Sequence, residues 1–192
     1  MNLRLTCLLG VAGLLLLPAA TARADIALFS AYHNNVARAA ALNDAHAVRQ
    51  MLEKGNNPNN DVDDSGHTAM QIAAINGNIQ IMAILIKAKA KLDVADALGN
   101  TALFYAAERN QPDIAQLLID VGAEVDKQNK NGMTPLMVAA ARGNIAIVQA
   151  LLAKGANPRK ADFTGRDALG WAADSRKPVV VQTLQRAAVA NR

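Results

Sequence analysis

Short apolar blocks alternate with polar, glycine-bearing turns along most of this chain, and the alternation keeps a fixed period. Gly66, Gly99, Gly132 and Gly165 stand 33 residues apart. Each opens a near-copy of one pattern: Gly66-His67-Thr68-Ala69-Met70, Gly99-Asn100-Thr101-Ala102-Leu103, Gly132-Met133-Thr134-Pro135-Leu136 and Gly165-Arg166-Asp167-Ala168-Leu169. The register continues downstream with alanine pairs at Ala73-Ala74, Ala106-Ala107, Ala139-Ala140 and Ala172-Ala173. A leucine recurs at Leu85, Leu118, Leu151 and Leu184. Such a period predicts a stack of small helical units, because one unit of this size cannot bury its own apolar face.

Each unit reads as turn, helix, turn, helix. In residues 96–128, Asp96 to Gly99 form a tight turn and Thr101 caps a helix running to about Arg109. Asn110-Gln111 breaks the chain, and Pro112 opens a second helix that reaches about Asp120. Proline is tolerated there because a first helical position needs no N–H. Gly122 supplies the C-cap. Residues 129–161 and 63–95 follow the same template, with one exception: Lys89 stands where glycine would stop the second helix of the earlier unit. There the lysine either accepts a positive φ or lets the helix run on. Residues 162–192 form a degenerate C-terminal capping unit, with Asp167 in place of the capping threonine and Gln185 in place of an apolar residue. Upstream, Val36 to Leu42 and Ala45 to Lys54 form a partial helix pair. It belongs to an N-terminal extension and cap over 25–62, and its loop to Gly66 is one residue longer than the others. Residues 25–35 have no counterpart in the repeat and are expected to cover the stack.

Over residues 36–187 the pattern resembles the ankyrin repeat, D-x-x-G-x-T-P-L-H-x-A-A followed by a G-N break, V-x-x-L-L and G-A. Residues 129–161 carry it best: Gly132 to Leu136, Ala139-Ala140, Gly143-Asn144, Val148, Leu151-Leu152 and Gly155-Ala156. The resemblance implies an all-α solenoid of helix–turn–helix units joined by hairpin-like loops. It also implies a protein partner held on a concave face lined by the turn tips and first helices. The family's histidine is absent, replaced by Gln71, Phe104, Met137 and Gly170. Its inter-repeat hydrogen bonds are therefore expected to be lost or replaced. Tyr105 and Trp171 occupy a usually aliphatic inner position, where their polar atoms need partners if buried.

The first 24 residues fall outside the repeat. Arg4, the apolar run Leu8 to Leu17, Pro18 and Ala22-Arg23-Ala24 read as a signal peptide cleaved after Ala24, so export to a bacterial periplasm is expected. The apolar run is too short for a bilayer span, and no membrane span is expected after cleavage. Cys7, the only cysteine, lies in this segment, so packing without disulfides must hold the mature chain. Aromatics make up only 3% of the chain, which leaves the core to Ala, Leu, Ile and Val. Charge is lopsided: residues 25–139 carry 9 basic and 13 acidic side chains, and residues 140–192 carry 9 and 3. This balance does not point to nucleic acid, and a monomer is expected.

No catalytic constellation is visible. His33, His46 and His67 lack metal-ligand spacing. Asp61-Val62-Asp63-Asp64-Ser65-Gly66 begins like a calcium loop, but Ile72 stands where the bidentate acid would be. No cofactor, metal or catalysis is expected, and function falls to the surface. Leu98, Met133 and Phe163 form a candidate apolar ridge at the tips, and Arg109, Arg142 and Arg166 a candidate basic zone. Asn100 and Lys130 complete the candidate binding set, and His67 is expected to be solvated at its tip. The resemblance leaves open whether the bound protein is a toxin or enzyme neutralised by an inhibitor or immunity protein, or whether the chain assists envelope stress (peroxide) defence.

Overall fold

The computed structural model describes residues 35–190. They form ten α-helices and no named strand. The order is α1 Val36–Ala41, α2 Ala45–Glu53, α3 Ala69–Asn76, α4 Ile79–Lys87, α5 Ala102–Glu108, α6 Pro112–Asp120, α7 Pro135–Arg142, α8 Ile145–Ala153, α9 Ala168–Asp174 and α10 Pro178–Ala190. The odd-numbered helices stack as an inner row and the even-numbered ones as an outer row, each packed on the next. Helices this short are not stable alone, so their stability comes from stacking.

Helix starts follow from the sequence. The side chains of Thr68, Thr101, Thr134 and Asp167 each accept the amide of the residue three positions on. Asn35, Asp44 and Asn78 do the same for α1, α2 and α4. Helix ends use left-handed residues. Gly77 and Gly143 end inner helices at φ 72° and 82°, while Asn43, Asn110 and Arg176 take the same role without glycine. Lys89 resolves its alternative by adopting φ 57° where Gly122 and Gly155 stand in later repeats.

Alanine makes the inner row possible. Ala40, Ala73, Ala74, Ala106, Ala107, Ala139, Ala140 and Ala172 are fully buried, and a larger side chain at these positions would hold the helices apart. Ala173 is exposed, because among the described residues no further repeat covers the face that its equivalents Ala74, Ala107 and Ala140 bury. Leu85, Leu118, Leu151 and Leu184 anchor the outer row and are also buried. Each contributes roughly 1.5–3 kcal/mol relative to an exposed leucine. The apolar core runs unbroken from Val36 to Leu184.

Side chains bridge the repeats on the outer loops. Asn59 accepts the Lys91 amide at 2.7 Å, Asp93 the Glu124 amide at 3.0 Å, and Asp126 the Asn157 amide at 3.1 Å. The extra residue between Gly55 and Gly66 leaves this pattern intact. The expected signal peptide, its cleavage after Ala24 and all but Asn35 of the expected covering segment 25–35 lie outside the described residues.

Candidate functional site

The turn tips are built four times by one device. Asp63, Asp96, Asn129 and Asp162 each use Oδ1 to accept the amides two and four residues on: Ser65 and His67, Leu98 and Asn100, Asn131 and Met133, Thr164 and Arg166. Their own amides donate to the carbonyl four residues on, closing a hairpin-like loop. Neighbouring tips then interlock. The Lys130 amide donates to the Leu98 carbonyl at 2.9 Å, and the Phe163 amide to the Asn131 carbonyl at 3.3 Å. Gly99 and Gly132 sit under these bonds. A Cβ on Gly132 would come within 2.7 Å of the Phe163 nitrogen and 2.8 Å of its ring. The last three tips thus form one braced ledge. No such bond joins Ser65 to Ala97, and a Cβ on Gly66 would meet nothing within 4 Å.

Behind the ledge the two aromatic residues find partners nine residues upstream. Tyr105 Oη donates to Asp96 Oδ2, and Trp171 Nε1 donates to Asp162 Oδ2 at 3.0 Å. Burial and the adjoining Asp96 carboxylate push the Tyr105 phenol up to about 12. Burial alone would raise the Asp96 carboxyl, but the Tyr105 hydroxyl and the amides of Asn100 and Leu98 outweigh it and hold the group below its ordinary value. Asp162 is held lower still, at about 2. The Thr164 hydroxyl, the Arg166 and Thr164 amides and the Trp171 indole together overcome its burial.

Three of the residues expected at the surface are drawn inward. Asn100 is 6% exposed, with Nδ2 toward Tyr105 Oη at 3.4 Å and Oδ1 accepting from Asn129 Nδ2 at 2.9 Å. It is a link in a buried chain and does not present its side chain to a partner. His67 is half-buried, edge-on to Tyr105, with Nε2 3.1 Å from Tyr105 Oη and Nδ1 3.6 Å from Asp63. Because the Tyr105 proton goes to Asp96, Nε2 is the donor in that contact. The expected solvated histidine is therefore a clasp between the first two full repeats. Met133 is half-buried and packs on the core.

The other predicted residues stay outside. Leu98 is 64% and Phe163 75% exposed, unusual values for large apolar side chains on a braced ledge, and Lys130 is exposed between them. Arg109, Arg142 and Arg166 are also exposed. Two of these cations are engaged: Arg142 pairs with Glu108 at 2.8 Å, and Arg166 pairs with Asp174 at 2.8 Å while its guanidinium lies 4.4 Å from the centre of the Trp171 ring. Arg109 makes no ion pair among the described residues. The basic zone is thus partly neutralised from within.

The missing family histidine is compensated in one repeat. Gln71 is fully buried; Oε1 accepts the Thr68 amide at 2.8 Å, and Nε2 donates to the carbonyl of Val94 at the end of its own repeat and to that of Asn100 in the next. Met137 offers only its sulfur to the Thr134 amide, at 3.4 Å. A family model described as ankyrin repeats in three copies matches residues 36–129 and again 121–191. The chain belongs to the ankyrin-repeat family. No curated protein matches it. Ankyrin-repeat stacks are protein-interaction modules and are generally non-catalytic. Among the described residues no group of three or more His, Cys, Asp or Glu could hold a metal ion, and no helix is long and apolar enough to cross a membrane.

The outer face of this ankyrin stack carries one further feature. Leu52, Ala83, Ile84 and Ala88 line an open groove of about 650 Å³ between α2 and α4, with Arg49, Glu53, Gln80 and Lys87 at its edges. Ile79 is half-exposed at the start of α4, so the apolar run Ile79 to Ile86 is buried along one side of the helix.

Proposed function

We propose that the chain is a monomeric, exported periplasmic binding module that holds a protein partner on its concave face and turn tips, over residues 98–166. The observation that carries this reading is the exposure of Leu98 and Phe163 on the interlocked ledge. Large apolar side chains held rigidly in water, with charged residues around them, have the anatomy of a binding patch. Lys130, Met133 and Arg166 share the tips with them, and Arg109 and Arg142 stand exposed at the far ends of the inner helices α5 and α7. The ledge is preorganised by backbone hydrogen bonds, which lowers the ordering cost of binding. The export assignment rests on the leader-like segment 1–24.

The sharper form of the proposal is an inhibitor or immunity protein acting on a toxin or enzyme. The lopsided charge favours it, since a fixed field speeds capture of an oppositely charged target. The test is recovery of partners from periplasmic extract with the mature protein and with a Leu98→Ala, Met133→Ala, Phe163→Ala triple variant. The variant should keep its helical signal and lose the partner. Equal recovery by both proteins would sink the ridge as the binding surface.

A further inference from the structure

Arg166 holds an arrangement that the other repeats lack. It starts at a turn tip, crosses the face of Trp171 at 4.4 Å and ends on Asp174, eight residues on at the C-terminus of α9. Its Nε also reaches the Thr164 hydroxyl at 3.3 Å. The arginine therefore covers the indole with its own guanidinium. Trp171 cannot turn away from it, because Asp162 fixes its Nε1 from behind at 3.0 Å. The cover is weakly held, since both members of the Arg166–Asp174 pair are about half-exposed and an exposed ion pair contributes little. Asp174 occupies the place a partner's carboxylate would take, and the indole beneath is a rigid apolar platform.

Resting on the concave-face reading above, we propose that Arg166 and Trp171 form a receptor for an acidic protein segment in which a carboxylate neighbours an apolar or aromatic side chain, with Asp174 as the internal competitor that a partner displaces. The partner's carboxylate takes the guanidinium from Asp174. Its apolar neighbour then packs on the Trp171 ring. Over residues 140–192 as a whole basic side chains outnumber acidic ones 9 to 3, which draws an acidic segment toward this end of the stack. The three acids, Asp162, Asp167 and Asp174, all stand near the site but are already engaged by the Trp171 indole, the Gly170 amide and Arg166. The site is not a bare charged rim, because its cation is stacked on an aromatic ring that is itself hydrogen-bonded from below.

Trp171 is the only tryptophan in the chain, so its emission reports this site directly. The mature protein is titrated with the acetylated, amidated peptide Glu-Glu-Phe-Glu-Glu and with Lys-Lys-Phe-Lys-Lys. The acidic peptide should change the emission saturably and weaken as salt is raised, and the basic one should not bind. Asp174→Asn removes the competitor and should tighten acidic-peptide binding about threefold. Arg166→Gln should weaken it about tenfold. Arg186→Gln, an exposed cation of α10 away from the tip, should leave it unchanged. Equal binding of both peptides, no emission change with the acidic one, equal losses in the Arg166 and Arg186 variants, or no gain with Asp174→Asn would each overturn the proposal. The ridge test above uses a partner protein and not tryptophan emission. Loss of that partner in the triple variant, together with a failed peptide titration, would discard the receptor and keep the concave face.

Discussion

Asp162 accepts four hydrogen bonds, from the Thr164 amide and hydroxyl, the Arg166 amide and the Trp171 indole. All of them favour the charged form, so its folded-state pKa lies at about 2, below the ordinary 3.8. The unfolded chain therefore binds more protons in the window between these values. Stability from this group is fully present above pH 4 and disappears as pH falls toward 2. Asp96 acts in the same direction. Unfolding followed by circular dichroism should show a steep loss of stability over that window. Asp162→Asn should flatten the acid slope and cost on the order of 1 kcal/mol at neutral pH, because the amide cannot accept all four bonds. The fact that Asn129 holds the equivalent turn argues that the substitution folds. An unchanged slope would show that Asp162 does not control acid stability. Sequence reading reached part of this chemistry: it required partners for Tyr105 and Trp171 without naming them. The signal was present, since an aspartate stands nine residues before each aromatic in the same register. Asn100 and His67 were misplaced because repeat position fixes where a backbone lies, not whether its side chain folds inward, toward a tyrosine of its own unit for Asn100 and of the next unit for His67.

Among the turns, the important difference is between those interlocked with the next turn, at Gly99 and Gly132, and those that are not, at Gly66 and Gly165. Gly132 and Gly165 have nearly the same backbone, φ 76° and 84°. An added methyl at Gly132 meets Phe163, while at Gly165 it meets nothing within 4 Å. Gly165→Ala should cost only the left-handed backbone penalty, about 1–2 kcal/mol. Gly132→Ala should cost clearly more and should also weaken partner binding, because the ledge must part to admit the methyl. Chemical denaturation of the two variants side by side checks this, and equal losses would mean that the tips are not interlocked. At this scale the sequence was highly legible. Helix starts at Thr68, Thr101 and Thr134 and breaks at Gly77, Asn110 and Gly143 follow from local rules that packing does not override. What it left open was how Gln71 would act in place of histidine. Its reach to Asn100 depends on how closely two repeats approach.

The whole stack behaves as a line of neighbour contacts with a charge gradient along it. Net charge runs from negative over residues 25–139 to positive over 140–192. Exposed charges act over roughly a Debye length of about 10 Å at 0.1 M salt. Association with an acidic partner should therefore slow about tenfold or more between 0.01 and 0.3 M salt, while dissociation changes far less. Stopped-flow binding at several ionic strengths measures both rates. A salt effect confined to dissociation would assign the charge to contact instead of approach. The period of 33 makes this axis legible in the sequence, since it orders the repeats and hence their charges. The internal pairs of Arg142 with Glu108 and of Arg166 with Asp174 were not readable, because they depend on rotamers chosen across the finished surface.

The bridges from Asn59 to Lys91, Asp93 to Glu124 and Asp126 to Asn157 all point one way: the acceptor lies in the earlier repeat and the donor in the later one. A chain emerging amino end first presents each finished repeat with a side-chain acceptor already in place. The next repeat to appear supplies the N–H that satisfies it. Growth in the direction of synthesis therefore adds units onto a prepared edge, as a zipper closes from its fixed end.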